Sequence, residues 1–272
     1  MRHSWVDGER ATTVPLDDRG LNYADGAFET LVSQEGRVAC RSQHEERLEK
    51  ALSALRFEAP QSQAKTIFEK VEQCLLQVAH TGPARLTVTR GSGPRGYAPP
   101  RPAFPRFILT TAPPIEHKSA SWRCGIAAIR WQDQPQLAGL KLLARTEQVL
   151  AAEEASRHGW DDVLMLDGQD RVISSSRGNL FLIRNQVART PSLGRSGIAG
   201  TRRQLLIETV LPQLGYEVCV ESLTMNDVLM ADYLIISNTV IGAMPVRSIN
   251  QHEYPAHKSA GAIADALQEL IK

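Results

Sequence analysis

The chain has 272 residues, a net charge of +1, and 31 basic and 30 acidic side chains mixed along its length. This length is enough for two modest domains. Because no block of one charge sign occurs, neither nucleic acid nor a membrane surface is favoured as the main partner. The four cysteines are widely spaced and no signal-peptide core is visible. We therefore expect a cytoplasmic protein whose cysteines are small buried side chains rather than metal ligands.

The first half of the sequence predicts an α+β domain over residues 1–113. GAFETLVSQEGRVACR is typical of a β-hairpin with its turn at residues 35–36. A helix then begins with a capping-box pattern at Ser42 and Glu45. This helix and the next carry apolar stripes at Leu48, Leu52, Leu55, Ile67, Val71, Leu75 and Val78. The strands RLTVTR and RFILTTAP complete the predicted domain.

TTAPPIEHK, residues 110–118, has the proline content of a linker, and we place the linker at residues 114–119, before a second domain over residues 120–272. The second half mixes apolar strands, such as DVLMLD and NLFLIRN, with helices near residues 143–158 and 202–214 and at the C-terminus. Pro212 is expected to distort or end the second of these helices. We expect this domain to have its own core.

The stretch RGSGPRGY has the glycine spacing of a dinucleotide-binding loop. That fingerprint requires a helix directly after the glycines, and the sequence continues with a cluster of prolines that excludes one. The dinucleotide hypothesis therefore fails. What remains is a glycine turn with Arg90, Arg95 and Tyr97, which is either a ligand-contacting loop or a solvated basic turn.

Two other stretches could carry chemistry. Lys141 lies between two leucines, where burial would disfavour the ammonium form, as a Schiff-base or general-base lysine requires. The alternative is a lysine that lays its stem on an apolar surface and keeps its amine in water. In GIAGTRRQ, the turn ending at Gly200 runs into a helix whose Thr201 and Arg202 amides could hold a phosphate. An ordinary loop before an amphipathic helix would look similar.

Seven segments, in order along nearly the whole chain, resemble one family of pyridoxal-phosphate enzymes. This family has the fold shared by branched-chain and D-amino-acid aminotransferases, and the likeness is strongest to its aminodeoxychorismate lyase branch. The segments are LNYADGAFET, HEERL, TRGSGPRGY, LAGLKLLARTEQVLA, DDVLMLD with VISSSRGNLF, GIAGTRRQ and SNTVIGAMPV. The resemblance implies a homodimer whose chain has a smaller N-terminal α/β domain and a larger C-terminal mixed β/α domain, with the cofactor between them.

The resemblance also implies roles for individual residues. Lys141 would hold pyridoxal phosphate as a Schiff base and shuttle protons, and Arg47 would bind the cofactor phosphate. Further cofactor contacts would come from Ser174, Asn179, Gly200, Thr201, Arg202, Asn238 and Thr239. Contacts to the carboxylates of an anionic substrate would come from Arg90, Arg95 and Tyr97.

The sequence departs from the family pattern at two positions. Ser174 stands where relatives usually have a glutamate facing the pyridine nitrogen, and Ala144 stands where they often have asparagine. A hydroxyl cannot hold a proton on that nitrogen as a carboxylate does, so the cofactor would be a weaker electron sink. This weakness should handicap transamination more than elimination.

The implied reaction is β-elimination of pyruvate from 4-amino-4-deoxychorismate, which yields 4-aminobenzoate for folate biosynthesis. Two alternatives stay open. One is a D-amino-acid or branched-chain aminotransferase of the same fold. The other, suggested by Ser174 and Ala144 together, is a cofactor-binding scaffold with little catalysis.

Overall fold

A computed structural model of the chain describes residues 2–114 and 119–271. The described residues form two compact units. One unit contains residues 2–114 together with Leu140–Ala144, and the other contains residues 119–139 and 145–271. Most of the predicted linker lies outside the described residues, so the boundary at 114–119 stays a prediction. No helix in the described ranges is long and apolar enough to cross a membrane.

Within residues 2–114, the first unit has one antiparallel sheet with the strand order β2-β1-β6-β5-β3-β4. The strands are β1 (Ser4–Val6), β2 (Glu9–Arg10), β3 (Gly26–Gln34), β4 (Arg37–Val38), β5 (Gly82–Thr89) and β6 (Arg106–Thr111). The helices are α1 (Arg19–Tyr23), α2 (Arg41–Ala54) and α3 (Pro60–Leu76). The predicted hairpin is confirmed: β3 and β4 meet at Glu35 and Gly36, whose φ angles of 50° and 84° suit a tight hairpin turn.

The helix pair α2 and α3 packs its apolar stripes into the core of this unit. The predicted capping box at the start of α2 is wrong. The helix begins at Arg41, after Cys40 in a left-handed conformation, and no side chain caps it. Ser42 sits inside the first turn, where its hydroxyl contacts Gln43 at 2.9 Å. Because the helix begins before Ser42, the serine lies inside the helix and not at its cap.

Residues Leu140–Ala144 extend the sheet of the first unit at the free edge of β3. The Phe28 amide donates to the Lys141 carbonyl at 2.9 Å, and the Leu143 amide donates to the Gly26 carbonyl at 3.1 Å. Ala27 pairs with Leu142 in antiparallel register between them. One edge of β3 is therefore covered by two segments: residues 140–144 pair with the start of the strand, and β4 pairs with its end.

The second unit contains a mixed sheet of nine strands within residues 119–139 and 145–271. Its strand order is β12-β11-β10-β13-β14-β7-β8-β9, with β15 paired to β14. The strands are β7 (Trp122–Ile126), β8 (Asp162–Leu166), β9 (Val172–Ser175), β10 (Asn179–Arg184), β11 (Val187–Pro191), β12 (Glu217–Glu221), β13 (Tyr233–Asn238), β14 (Gly242–Ile249) and β15 (His252–Glu253). The helices are α4 (Thr146–His158), α5 (Thr201–Leu205), α6 (Leu211–Gln213), α7 (Met225–Leu229) and α8 (Lys258–Glu269).

Central strands of this sheet are buried on both faces. On β10, Leu180 and Leu182 join one apolar cluster, while Phe181 and Ile183 join another that includes α5, α6 and α8. Because side chains alternate along a strand, this split shows that both faces are covered. The second unit therefore has its own core, as the sequence predicts.

The helix predicted near residues 202–214 is present, with a defect in its middle. Leu206–Val210 form a π-helical turn between α5 and α6, and Pro212 follows two residues later. Proline lacks an amide and crowds the carbonyl of the preceding turn, so widening the helix before Pro212 relieves the conflict. The predicted distortion is confirmed.

The prediction that all four cysteines are buried holds for only two of them. Cys74 and Cys124 are buried, whereas Cys40 and Cys219 are half-buried. Cys40 ends a turn and Cys219 lies on the sheet-edge strand β12, positions that a composition-based argument does not see.

Gly26→Ala should destabilise the protein by about 1–3 kcal/mol, the cost of overpacking a filled site. A Cβ at Gly26 would lie 2.1 Å from the Val88 carbonyl oxygen and 3.0 Å from Leu143 Cδ1. Urea denaturation measures the effect. The matched control is Gly261→Ala, because a Cβ there, inside α8, meets open space. That control should be neutral or stabilise by up to about 1 kcal/mol. Equal midpoints for the two variants would contradict the close packing of β3.

Candidate active site

The first unit places Lys141 beside an aromatic ring. Its Nζ lies 4.2 Å from the centroid of the Phe28 ring, and the side chain is half-buried. The strand register explains the contact: Lys141 and Phe28 are neighbours across the sheet edge, so their side chains share one face. The aromatic face attracts an ammonium and limits where the amine can move.

Arg47 is held by a buried carboxylate. Its Nε donates to Glu29 Oε1 at 2.8 Å, and its Nη2 donates to Oε2 of the same group. His44, one helical turn earlier on α2, places Nδ1 2.7 Å from Glu29 Oε2. Glu29 on β3 and His44 are at most 1% exposed. This paired geometry fixes the plane of the Arg47 guanidinium.

Burial alone would raise the pKa of Glu29, but the charge of Arg47 and the hydrogen bonds from Arg47 and His44 outweigh it. Together they lower the pKa from 4.5 to about 2. The carboxylate therefore stays ionised through the physiological range. The negative charge of Glu29 therefore remains to compensate the positive charge of Arg47.

The second unit builds a close turn at Gly200, directly before α5. Asn179 donates from Nδ2 to the Ile198 carbonyl at 2.8 Å, which fixes its amide beside the turn. A Cβ at Gly200 would lie 2.1 Å from Asn179 Oδ1, so a side chain here would have to displace the Asn179 amide. No side chain caps the first turn of α5. Helix-start amides point toward this turn, the usual arrangement for binding an anion.

Thr201 and Thr239 meet next to this turn, with their Oγ1 atoms 3.4 Å apart. Asn238 shapes the loop that carries Thr239: its Oδ1 accepts from the amides of Val240 and Ile241 at 2.8 and 2.9 Å. Arg202, the next residue of α5, is 1% exposed. Of the predicted cofactor residues in this unit, the structure therefore brings Asn179, Gly200, Thr201, Asn238 and Thr239 to one end of the sheet.

The cluster forms where β10 begins and β13 ends. These strands are antiparallel neighbours, with Asn179 opposite Ser237. The pairing brings residues nearly sixty positions apart in the chain to the same sheet end. Ser174 is on β9, where its buried hydroxyl donates to the Ser175 carbonyl at 2.8 Å.

The structure does not bring the three predicted substrate contacts into one environment. Arg90 is 5% exposed and paired with Asp25, with Nε to Oδ2 at 2.8 Å and Nη2 to Oδ1 at 3.0 Å. Arg95 is exposed, and Tyr97 is 90% exposed. This geometry favours a structural role for Arg90 and leaves Arg95 and Tyr97 available to a ligand.

The model for the family amino-transferase class IV matches residues 26–249. The chain belongs to the amino-transferase class IV family. It is 32% identical over 269 residues to the aminodeoxychorismate lyase of Vibrio harveyi, with 97% of each chain covered. The solved structure of 4-amino-4-deoxychorismate lyase from Pseudomonas aeruginosa is similar at 34% identity, with a TM-score of 0.91 and 98% of each chain covered.

The branched-chain amino acid aminotransferase of Escherichia coli has the same fold, with a TM-score of 0.90 at 20% identity, covering 99% of this chain and 94% of that one. These likenesses confirm the predicted family of pyridoxal-phosphate enzymes and the predicted α+β fold. They also confirm the prediction of a pyridoxal-phosphate-dependent enzyme of the lyase class. The roles of individual class IV residues stay predictions.

Sequence reasoning missed several residues that organise the first unit. Glu29 and His44 occur inside the quoted segments GAFETL and HEERL, but no role was assigned to either. Asp25 and Arg19 were also missed, and so was the pairing of Asp25 with Arg90. The available signal was a charged residue within an otherwise apolar strand, which favours a buried ion pair.

Glu29→Gln should destabilise the protein by about 3–5 kcal/mol at pH 7, because it leaves the buried Arg47 charge uncompensated. The wild-type contribution is fully present above pH 4.5 and is lost as the pH falls from there through about 2. That shift in pKa corresponds to about 3 kcal/mol. Urea denaturation at pH 7, 4.5 and 3 should show the gap between wild type and variant narrowing with acid.

Glu46→Gln on α2 is the control, because it makes the same chemical change at another glutamate. Glu46 pairs with Lys50 at 2.7 Å, but both side chains are more than half exposed, so the change should cost at most a few tenths of a kcal/mol. A pH-independent gap between wild type and Glu29→Gln would contradict a low pKa for Glu29.

Proposed function

We propose that the protein eliminates pyruvate from 4-amino-4-deoxychorismate and releases 4-aminobenzoate, a folate precursor. The observation that carries the proposal is full-length likeness above 30% identity to a lyase in sequence and to a second lyase in structure. The aminotransferase likeness at 20% identity supports only the shared fold. The family resemblance extends the proposal to a cytoplasmic homodimer.

The residues present fit a phosphate-bearing cofactor. Gly200 keeps its side of the turn open beside the Asn179 amide, and Thr201 and Thr239 place two hydroxyls beside an uncapped helix start. Such a turn suits a phosphate, which takes hydrogen bonds from amides and hydroxyls. We assign Thr201, Arg202 and Thr239 to the phosphate. Asn179 and Asn238 shape the turn and the loop around it.

We assign Arg47 and Lys141 of the first unit to the same cofactor. Arg47 would bind its phosphate, in an orientation set by Glu29. Lys141 would carry its aldehyde carbon. The family resemblance supports this assignment, since HEERL and LAGLKLLARTEQVLA, which contain the two residues, are among the segments that carry it.

When bound, pyridoxal phosphate withdraws electrons from the substrate carbon that bears nitrogen, which makes its proton acidic. Lys141 Nζ is the base that we assign to this proton. The enolpyruvyl C–O bond breaks as the proton leaves, and Nζ returns a proton to the enol carbon, which gives pyruvate. Phe28 limits the amine to a small region during both transfers.

Ser174 favours elimination over transamination in this proposal. Its hydroxyl proton is directed at the Ser175 carbonyl, so the serine supplies no acidic proton and no negative charge to a ring nitrogen. Transamination needs a stronger electron sink than elimination does, because the proton must return to the cofactor carbon. An aminotransferase would instead form glutamate from an amino acid and 2-oxoglutarate faster than it released pyruvate.

We assign recognition of the substrate carboxylates to Arg95 and Tyr97. Arg95 is exposed and makes no hydrogen bond or ion pair within residues 2–114 and 119–271. An uncompensated guanidinium can pair with a carboxylate at little cost. In this proposal Arg90 does not contact the substrate and supports the loop through its bonds to Asp25 and the Leu55 carbonyl.

The cofactor-loaded protein, given 4-amino-4-deoxychorismate, should release pyruvate and 4-aminobenzoate in equal amounts. A parallel reaction with D-alanine or leucine and 2-oxoglutarate should form glutamate far more slowly. Lys141→Ala should lose nearly all lyase turnover, and borohydride should fix the cofactor on the wild-type peptide that contains Lys141. Faster glutamate formation would support an aminotransferase instead, and a fixed lysine elsewhere would overturn the assignment.

Arg47→Lys should raise the dissociation constant of pyridoxal phosphate about tenfold or more, because lysine keeps the charge beside Glu29 but loses the planar donor pair. At saturating cofactor, kcat should stay close to wild type. Fluorescence titration and steady-state assays measure the two quantities. Arg41→Lys on the same helix is the control, since Arg41 pairs with Glu72 at 2.6 Å and has no proposed cofactor role. A kcat loss that saturating cofactor cannot restore would move Arg47 to the substrate.

A further inference from the structure

The loop that joins β5 to β6 has no helix or strand of its own, yet its tip is firmly held. We call residues 91–105 the Arg95 loop. Residues 94–99 are exposed, and Gly96 has a φ angle of 109° with nothing within 4 Å of a Cβ placed there. Packing does not shape this tip. Hydrogen bonds from beneath it do.

Arg19, on α1, supplies the main support. Its Nη1 donates to the Gly96 carbonyl at 3.0 Å and its Nη2 donates to the Tyr97 carbonyl at 2.8 Å. The residue is 2% exposed. A fully buried guanidinium that reaches two consecutive carbonyls at a loop tip fixes the direction of that backbone.

Asp25 holds Arg19 in place and also pairs with a second arginine, Arg90. Arg19 Nε donates to Asp25 Oδ2 at 2.9 Å, and Arg90 Nε donates to the same atom at 2.8 Å. Arg90 then reaches away from the loop tip, to the Leu55 carbonyl at 2.7 Å. Burial raises the pKa of Asp25, but the two guanidinium groups lower it further than burial raises it. The carboxylate is a fixed anchor between loop and core.

Tyr23 holds the opposite side of the same peptide. Its hydroxyl accepts from the Gly96 amide at 2.8 Å, and its ring contacts the Tyr97 ring edge-on at a centroid distance of 5.8 Å. Arg19 lies over the Tyr23 ring, 4.7 Å from its centroid. Gly96 is therefore held at both its amide and its carbonyl by two residues of α1.

The residue before this anchored peptide is Arg95. Its side chain is exposed, and no ion pair neutralises it among the residues that the structure describes. Anchoring the following peptide restricts the directions in which Arg95 can point. A preorganised cation binds an anion more tightly than a mobile one, because less freedom is lost on binding.

We infer that Arg19 is a positioning residue for substrate recognition: through the carbonyls of Gly96 and Tyr97 it presents Arg95 and Tyr97 to a carboxylate-bearing substrate. The inference rests on the proposed lyase function for its substrate. The anchoring itself does not, and it can be measured without any substrate.

Limited trypsin digestion of the cofactor-loaded protein tests the anchoring. Cleavage after Arg95 requires the Gly96 and Tyr97 peptides to leave their partners, and the next arginine in the loop, Arg101, precedes a proline that blocks cleavage. Arg19→Gln should speed cleavage at Arg95 about tenfold or more, since two charged-donor hydrogen bonds are lost. Asp25 keeps Arg90 as partner in this variant.

Tyr23→Phe is the second variant, because it removes one hydrogen bond to Gly96 and leaves the ion pairs intact. It should speed cleavage about threefold to tenfold. Arg41→Gln is the control: it removes two ion pairs elsewhere in the unit, with Glu45 and Glu72, and should leave cleavage at Arg95 unchanged. Circular dichroism checks the fold of each variant, and mass spectrometry identifies the cleaved bond.

Kinetics test the link to substrate. Arg19→Gln should raise KM for 4-amino-4-deoxychorismate about tenfold and leave kcat within about twofold, with Arg19→Lys between it and wild type. Unchanged cleavage in folded Arg19→Gln and Tyr23→Phe would overturn the anchoring. Faster cleavage with unchanged KM would overturn only the role in recognition. A wild-type protein without lyase activity would overturn the proposed function and that role together.

Discussion

Burial of one leucine sets the position of Lys141. Leu142 is 8% exposed and lies in the core of the first unit, paired with Ala27 at the edge of β3. Adjacent residues of an extended segment point to opposite faces, so a core position for Leu142 puts Lys141 on the other face, beside Phe28. A slip of one residue would bury the lysine and expose the leucine. Hydrophobic burial of Leu142 thus selects the register that places Lys141 beside Phe28.

The same stretch of chain carries two carboxylates that organise the unit. Asp25 binds Arg19 and Arg90 just before β3, and Glu29 binds Arg47 and His44 four residues later. Buried ion pairs add little net stability, because desolvation offsets much of their attraction. Their larger effect is geometric: each carboxylate fixes the direction of a guanidinium, Arg19 in one case and Arg47 in the other.

Much of this arrangement could be predicted from local pattern. Apolar spacing located the main helices and strands, and the prolines after Gly96 excluded a nucleotide-binding helix, in agreement with the irregular Arg95 loop. Pairings between distant residues were not visible. Nothing near Leu142 in the sequence indicates that it joins β3, and Arg90 resembles a ligand contact until its bond to Asp25 is seen. Register and ion pairing depend on tertiary structure, which periodicity does not encode.

The edge position of residues 140–144 has a consequence for synthesis on the ribosome. The first unit is discontinuous: its sheet is built from residues 2–114, but the strip that covers the start of β3 is made later, after β7. During translation the nascent N-terminal unit therefore has an open strand edge, the kind of surface on which chains pair wrongly. Its folding is completed by the segment that bears Lys141, so a chain truncated before this segment lacks both that lysine and the cover for that edge.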